Sequence, residues 1–223
     1  MIGLNRPSKK NAANIQLLDE LSAALKNFET DDSSNVGILY GEGGNFCSGY
    51  DLDELASEEL SQNLLSKKLT ESYVKKPLIA SISGYGIGFG FDLALWCDLR
   101  IMDDNAIIGF YGRRFGIPIS EWTIRRLESC IGLTRTMDLL FTGRGISAVD
   151  AEKWGLIHSL SECGTAVGRS FSLAGCISKF PQPSLLADRA KAYSVAFDGH
   201  RNLMESIEAE REINTNIAVK ALF

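Results

Sequence analysis

Histidine is scarce in this chain. His158 and His200 are its only two, so a histidine-rich metal site is excluded. The five cysteines, Cys47, Cys97, Cys130, Cys163 and Cys176, are widely spaced with no C-x-x-C among them. Neither a zinc set nor a disulfide framework is supported, and buried free thiols in a reducing compartment are expected. No metal is expected. No apolar run reaches membrane-spanning length, and the N-terminus has no signal-peptide pattern. No peroxisomal tripeptide ends the chain. An intracellular protein, cytoplasmic or mitochondrial and without membrane insertion, is expected. Positive charge is not in excess: 23 Lys and Arg face 28 Asp and Glu, a formal net charge of −5. That argues against nonspecific nucleic-acid binding, although Arg113, Arg114, Arg125 and Arg126 could form a local basic cluster. Two glycine signatures are missing as well. G-x-G-x-x-G would need glycine at 89 or 91, where Phe89 and Phe91 stand, and no G-K-[ST] follows. There are no repeats and no low-complexity segments.

What remains is an ordinary globular composition, 45% apolar and 23% charged over 223 residues. This is enough for one domain, or one domain with a helical extension. The most informative stretch is KPLIASISGYGIGFGFDLALWCDLRIM, residues 76–102. Leu78 to Ser83 reads as a buried strand. Gly84, Gly86, Gly88 and Gly90 let the backbone bend and come close to another group. Phe91 to Cys97 reads as a buried helix whose one acidic residue is Asp92. A glycine bend feeding a helix start suits a ligand oxygen carrying negative charge, because the first N–H groups of a helix are free. The same pattern also fits a tight strand-to-helix turn in a buried layer, with no ligand.

Elsewhere the order is α/β. Met1 to Leu4 is strand-like, and Asn5 to Ser8 is a turn. Leu17, Leu18, Leu21, Ala24, Leu25 and Phe28 mark a helix with Asn11 or Asn14 as N-cap. Val36 to Tyr40 is a strand that ends in a glycine loop, the usual place for a ligand in α/β proteins. In that loop Asp51 is either an N-cap or a loop-bracing carboxylate. Leu60, Leu64, Leu65 and Leu69 mark the next helix. Leu99 to Met102 and Ala106 to Phe110 are strands, and Gly112 to Ser120 is an irregular loop. A helix begins near Glu121 or Thr123, breaks at Gly132 and resumes at Thr134. Ser147 and Asp150 form a capping box. Leu156 to His158 is a short strand, with His158 in a structural or surface role. From Thr165 the pattern is helical, broken at Pro181-Gln182-Pro183, with Leu203, Ile207 and Ile213 in the last helix. A β-rich part, 1–160, is thus followed by a helical part, 161–223.

Four segments in order, LNRPSKKNA (4–12), NFCSGYDL (45–52), KPLIASISGYGIGFGFDLALWCDLRI (76–101) and LLFTGRGISAVDAEKWGLI (139–157), resemble the enoyl-CoA hydratase/isomerase, or crotonase, family. The resemblance covers nearly the whole chain. It implies a crotonase-like ββα-superhelix core with a C-terminal helical region for trimerisation, and a homotrimer or hexamer. It implies an acyl-CoA thioester as substrate, with coenzyme A part of that substrate and no separate cofactor. By position, the backbone N–H groups of Tyr50 and Phe89 would form an oxyanion hole. Ala12, Tyr50, Asp51, Leu52, Gly88, Gly90 and Gly112 would line the substrate.

The chain departs from the family where two glutamates are usual. The first position matches Asp92, one methylene shorter, and a misplacement of about 1 Å can cost on the order of a hundredfold in rate. The second matches Gly112. Glu121 on the following loop is the candidate replacement, or else a first-turn helix acid beside Trp122. Phe89 stands where the family has glycine, so its ring turns away or fills part of the acyl slot. Tyr50 replaces a smaller residue. Family members also carry a strand before LNRP and a longer tail. The expected function is an acyl-CoA enzyme of the hydratase or isomerase type in fatty-acid metabolism, with Asp92 and Glu121 as catalytic candidates. A relative that binds CoA esters or partner subunits without turnover is the alternative. A serine peptidase is disfavoured, because Ser48, Ser81 and Ser83 lack a G-x-S-x-G setting.

Overall fold

The apolar run at 78–82 is apolar because it is covered on both faces. In the computed structural model, which describes residues 1–57 and 69–197, all five residues of strand β3 (Leu78–Ile82) are buried. It lies at the centre of a parallel sheet with β1 (Ile2–Leu4), β2 (Gly37–Gly41), β5 (Leu99–Asp103) and β8 (Ser159–Ser161), in the order β1-β2-β3-β5-β8. A second sheet joins β4 (Tyr85–Ile87), β6 (Ile107–Gly109) and β7 (Gly145–Ser147), with β6 parallel to β4 and antiparallel to β7. A sheet with helices on both faces needs such continuous hydrophobic strands.

One face carries the larger core, including Leu39, Ala80, Ile82 and Met102. Helix α1 (Ile15–Thr30) adds Leu17, Leu18, Leu21, Leu25 and Phe28 to it. Burial of each large side chain contributes about 1.5–3 kcal/mol. Asn14 is the N-cap, accepting from the Leu17 N–H at 2.9 Å. Asn11 is not a cap; it sits in the left-handed region at φ 56° and braces a loop.

The other face presents Ile38, Ile79 and Ile101 to Ala166 and Ala174 of helix α6 (Ala166–Ile177). Asp103 ties that helix to the sheet, accepting from the Ala166 and Gly164 N–H groups, each at 3.0 Å. The first helix of the C-terminal part therefore belongs to the sheet's own core. The chain divides into Met1–Phe180 and Pro181–Phe223, and not at 160/161 as the sequence pattern suggested. In the second unit, residues 182–197 are helical, with Tyr193 stacked on Phe197.

Three further elements position the site. Helix α2 (Leu52–Leu55) follows the glycine loop, and α3 (Phe89–Trp96) follows the glycine bend. Helix α4 (Glu121–Thr142) kinks at Gly132, where φ is 75° and ψ 164°, as its sequence predicts. Arg100 holds the end of α3: its buried guanidinium donates to the Cys97 carbonyl at 2.7 Å and the Ala94 carbonyl at 3.2 Å. A cation there also complements the helix C-terminus. Ser147 caps α5 (Ala148–Lys153) through the Asp150 N–H, as expected.

Several expectations need correction. The last strand is Ser159–Ser161; Leu156 and Ile157 are buried in an irregular segment, and their apolar pairing reflects core packing. Strands β4 and β7 are too short and glycine-rich to read as strands. The 3-10 turn Tyr111–Phe115 interrupts the irregular loop. Only Cys47 and Cys97 are buried, Cys130 is half-buried, and Cys163 and Cys176 are exposed. The helix expected through Leu60, Leu64 and Leu65 lies outside the described residues, with Leu69 opening the 3-10 turn Leu69–Glu71. The helix through Leu203, Ile207 and Ile213 lies outside them too.

Candidate active site

Two backbone segments build the site. The loop after β2 runs beside β4: the Cys47 N–H donates to the Tyr85 carbonyl at 2.8 Å, and the Ile87 N–H to the Cys47 carbonyl at 3.0 Å. It then meets Ala13, whose N–H donates to the Gly49 carbonyl at 2.7 Å and whose carbonyl accepts from the Asp51 N–H at 2.8 Å. In a parallel bridge of this kind the intervening residue faces the other way. The Tyr50 N–H therefore points away from Ala13. Asn11 fixes the base of this loop. Its amide donates to the Glu42 and Asn45 carbonyls at 2.9 and 2.6 Å and accepts from the Arg6 N–H at 2.8 Å.

The second segment is the glycine bend. Gly88 takes φ 57° and ψ −122°, a conformation that suits only glycine, and launches α3. Phe89 is the first helical residue, so its N–H has no partner within the helix. Among the described residues, neither the Tyr50 nor the Phe89 N–H has an acceptor. The segments lie side by side: a methyl group on Gly49 would stand 3.8 Å from the Phe89 nitrogen and 3.9 Å from the Gly88 Cα.

Both segments open on a cavity of about 410 Å³. Gly49, Tyr50, Gly88, Phe89 and Asp92 line it, together with residues 110–115 and 117–120. The Tyr50 and Phe89 rings stack, with centroids 4.6 Å apart and planes at 21°. They form one wall, and Phe89 is only 7% exposed. Asp92 is half-buried on the first turn of α3. Its Oδ2 accepts from the Thr70 hydroxyl at 2.7 Å and its Oδ1 from the Thr123 hydroxyl. Burial raises the Asp92 pKa; the hydrogen bonds from Thr123 and Thr70 and the charge of Arg126 offset this only in part. Burial, and then the Asp92 charge, push the Tyr50 phenol up as well.

The structure brings some sequence candidates together and sets others apart. Tyr50, Leu52, Gly88, Phe89, Asp92 and Gly112 all line the cavity. Ala12, Asp51 and Gly90 stand behind it. The Ala12 carbonyl accepts from Arg6 at 2.6 Å. Asp51 caps α2 and pairs with Arg6 at 2.9 Å, which is the loop-bracing role. Burial by itself would raise the Asp51 pKa, but the Arg6 and Asp53 hydrogen bonds and nearby cations bring it below the usual value. At Gly90 a Cβ would come within 2.2 Å of the Cys47 carbonyl oxygen, so glycine is what lets α3 pack against the loop.

Glu121 does not join the site. It opens α4 on the solvent side, 74% exposed, paired with Arg125 one helical turn on at 2.5 Å. The arginines form no common basic cluster either. Arg126 is buried beside the Tyr73 and Trp122 rings, Arg113 donates to the Leu140 carbonyl, and Arg114 lies over the Tyr111 ring. His158 is exposed, and among the described residues no serine bonds to its side chain. Sequence reasoning missed Thr70, Thr123 and Ser120. Thr70 and Thr123 stand 22 and 31 positions from Asp92, where no local pattern links them.

A parallel sheet whose strands feed a bracing loop and a glycine-launched helix, both opening on one cavity, defines a protein of the crotonase fold. The chain belongs to the enoyl-CoA hydratase/isomerase family, whose model matches residues 1–218. It is 31% identical over 217 residues to a probable enoyl-CoA hydratase of Mycobacterium leprae, spanning 96% of this chain and 83% of the relative. It is 29% identical over 222 residues to the 2,3-dehydroadipyl-CoA hydratase of Escherichia coli, spanning 98% and 86%. Among solved structures it is similar to an enoyl-CoA hydratase from Bacillus anthracis, with TM-score 0.82, 29% identity, and coverage of 94% of this chain and 84% of that one. No helix among the described residues is long and apolar enough to cross a membrane.

Proposed function

We propose that this chain is an acyl-CoA enzyme of the enoyl-CoA hydratase/isomerase type, with the Tyr50 and Phe89 N–H groups as its oxyanion hole and Asp92 as its proton carrier. One observation carries the reading: Tyr50 and Phe89, whose N–H groups have no acceptor among the described residues, line a single cavity with the half-buried carboxylate of Asp92. A thioester carbonyl placed between those donors gains charge as the adjacent carbon becomes an enolate. Donors already aimed at that oxygen need no reorganisation, and each is worth about 2.7–4 kcal/mol of barrier. Asp92 then exchanges a proton with the carbon beside the carbonyl. Burial, which raises its pKa, suits it to giving the proton back as well as taking it. Coenzyme A enters as part of the substrate.

The test is turnover of enoyl-CoA thioesters by the purified protein, read as loss or displacement of the conjugated double bond. Asp92→Asn is expected to lower kcat by about 10²–10⁴-fold, the range for a positioned acid–base group. Unchanged turnover in that variant would remove Asp92 from the mechanism. Calorimetric binding of a saturated acyl-CoA, with no turnover of any enoyl-CoA, would assign the chain a binding role instead.

A further inference from the structure

Asp92 is the only Asp or Glu among the described residues that line the cavity. Hydration asks for two proton movements, one away from the attacking water and one onto carbon. The structure offers a route by which a single carboxylate serves both.

Asp92 holds two threonine hydroxyls, one on each oxygen, and the two differ in what lies behind them. Thr70 is 3% exposed, does not line the cavity, and among the described residues shows no onward hydroxyl partner. Thr123 is 1% exposed, and its Oγ1 lies 2.7 Å from Ser120 Oγ. Ser120 is half-buried and lines the cavity. The hydrogens on this chain can be assigned by elimination. An ionised carboxylate has none to give, so the single hydroxyl hydrogen of Thr123 goes to Asp92 Oδ1. The Ser120–Thr123 contact then needs the hydrogen of Ser120. Ser120 Oγ in turn accepts the Thr123 N–H at 3.2 Å, which keeps it in place at the start of α4 and leaves one lone pair. The result is a polarised line of hydroxyls, Ser120 to Thr123 to Asp92, with an accepting end at the cavity.

We propose that Ser120 and Thr123 form a hydroxyl relay that carries a proton from a cavity water to Asp92, so that one carboxylate supports hydration. This rests on the hydratase reading of the site. As the water oxygen bonds to the β-carbon, the π electron pair moves into the thioester enolate. The water proton passes to Ser120, the Ser120 proton to Thr123, and the Thr123 proton to Asp92. Asp92 then gives a proton to the α-carbon, where the enolate pair forms the new C–H bond. Water has been added, the carboxylate is restored, and the two hydroxyls turn back to their starting direction. Thr70 is a positioning residue that holds the other carboxylate oxygen. Among the described residues, the charged groups acting on Asp92 are Arg126 from α4 and Glu71 from the 69–71 turn.

The experiment compares hydration of an enoyl-CoA by the wild type, Thr123→Val, Thr123→Ser and Thr70→Val, each with a pH profile and a proton inventory in mixed H2O and D2O. Thr123→Val is expected to lose on the order of a hundredfold in kcat, with saturated acyl-CoA binding unchanged. Thr123→Ser, which keeps the hydroxyl, should recover most of the rate. The wild-type inventory should be curved, reporting several protons in flight, and that of Thr123→Val linear. Thr70→Val should move the acid limb of the profile upward, since its hydrogen bond lowers the Asp92 pKa, and leave the curvature intact. Ser120→Ala should match Thr123→Val in kcat; because it also removes the α4 cap, the threonine variants carry the test. A linear wild-type inventory, or full activity in Thr123→Val, overturns the relay while leaving the hydratase reading in place. A wild type that binds saturated acyl-CoA and hydrates no enoyl-CoA overturns both.

Discussion

Replacing Phe89 with alanine removes half of the aromatic wall, and its cost can be worked from the structure. Truncating a buried phenylalanine to alanine costs about 3–5 kcal/mol. Phe89 is 7% exposed and borders the cavity, which water can refill, so the low end near 3 kcal/mol applies. Alanine returns up to about 0.5 kcal/mol through better helix propensity in the first turn. The net expectation is a loss of about 2.5 kcal/mol, read from the urea midpoint at constant m. The stack with Tyr50 accounts for about 0.5–1.5 kcal/mol of that, isolated by a double-mutant cycle of Tyr50→Leu and Phe89→Leu. The same truncation enlarges the slot beside Asp92 and the Tyr50 and Phe89 N–H groups. The ratio of kcat/KM for a branched over a straight-chain enoyl-CoA should rise by roughly tenfold, the worth of a methylene-sized change in an apolar pocket. A stability change below about 0.5 kcal/mol together with an unchanged ratio would show that the ring neither packs on Tyr50 nor shapes the slot.

Two further expectations follow from buried polar groups. The Asp92 pKa is raised above 3.8 in the folded protein, so the folded state binds its proton more tightly than the unfolded chain does. That contribution is fully present at low pH and is lost as pH rises through the raised pKa. Asp92→Asn should therefore be more stable than the wild type at neutral pH, with the gap closing as pH falls toward 3.8 in paired thermal melts. A gap independent of pH would contradict this. Asn11→Ala should lose about 3–5 kcal/mol in urea unfolding, since it strips the Glu42 and Asn45 carbonyls of their donor and forces alanine to φ 56°. Asn11→Gly relieves the backbone strain and should recover only about 1 kcal/mol of that loss.

Much of this architecture was legible in the residues because its causes are local. The run from Leu78 to Ser83 reads as a buried strand, and Leu78–Ile82 form one. The spacing of Leu17, Leu21, Leu25 and Phe28 had to be a helix with one buried side, and Gly132 had to break α4. Gly88 and Asp92 marked a bend feeding a helix start with one acid on it. The ordered motifs also carried the family likeness.

What the chain order could not supply is which distant side chains meet. Glu121 and Thr123 lie two positions apart at the start of α4, and helix geometry sends one to solvent and Arg125 and the other to Asp92. Packing of α3 against α4 and the 69–71 turn decided that, among the described residues, hydroxyls from Thr70 and Thr123 are what bond to the Asp92 carboxylate. Likewise the pleat of the sheet, which turns Ile38, Ile79 and Ile101 outward, drew α6 into the core and set the boundary after residue 180. Periodicity along the chain reports which face of an element is apolar. Only the packed structure says what that face, and each polar group on its rim, is set against.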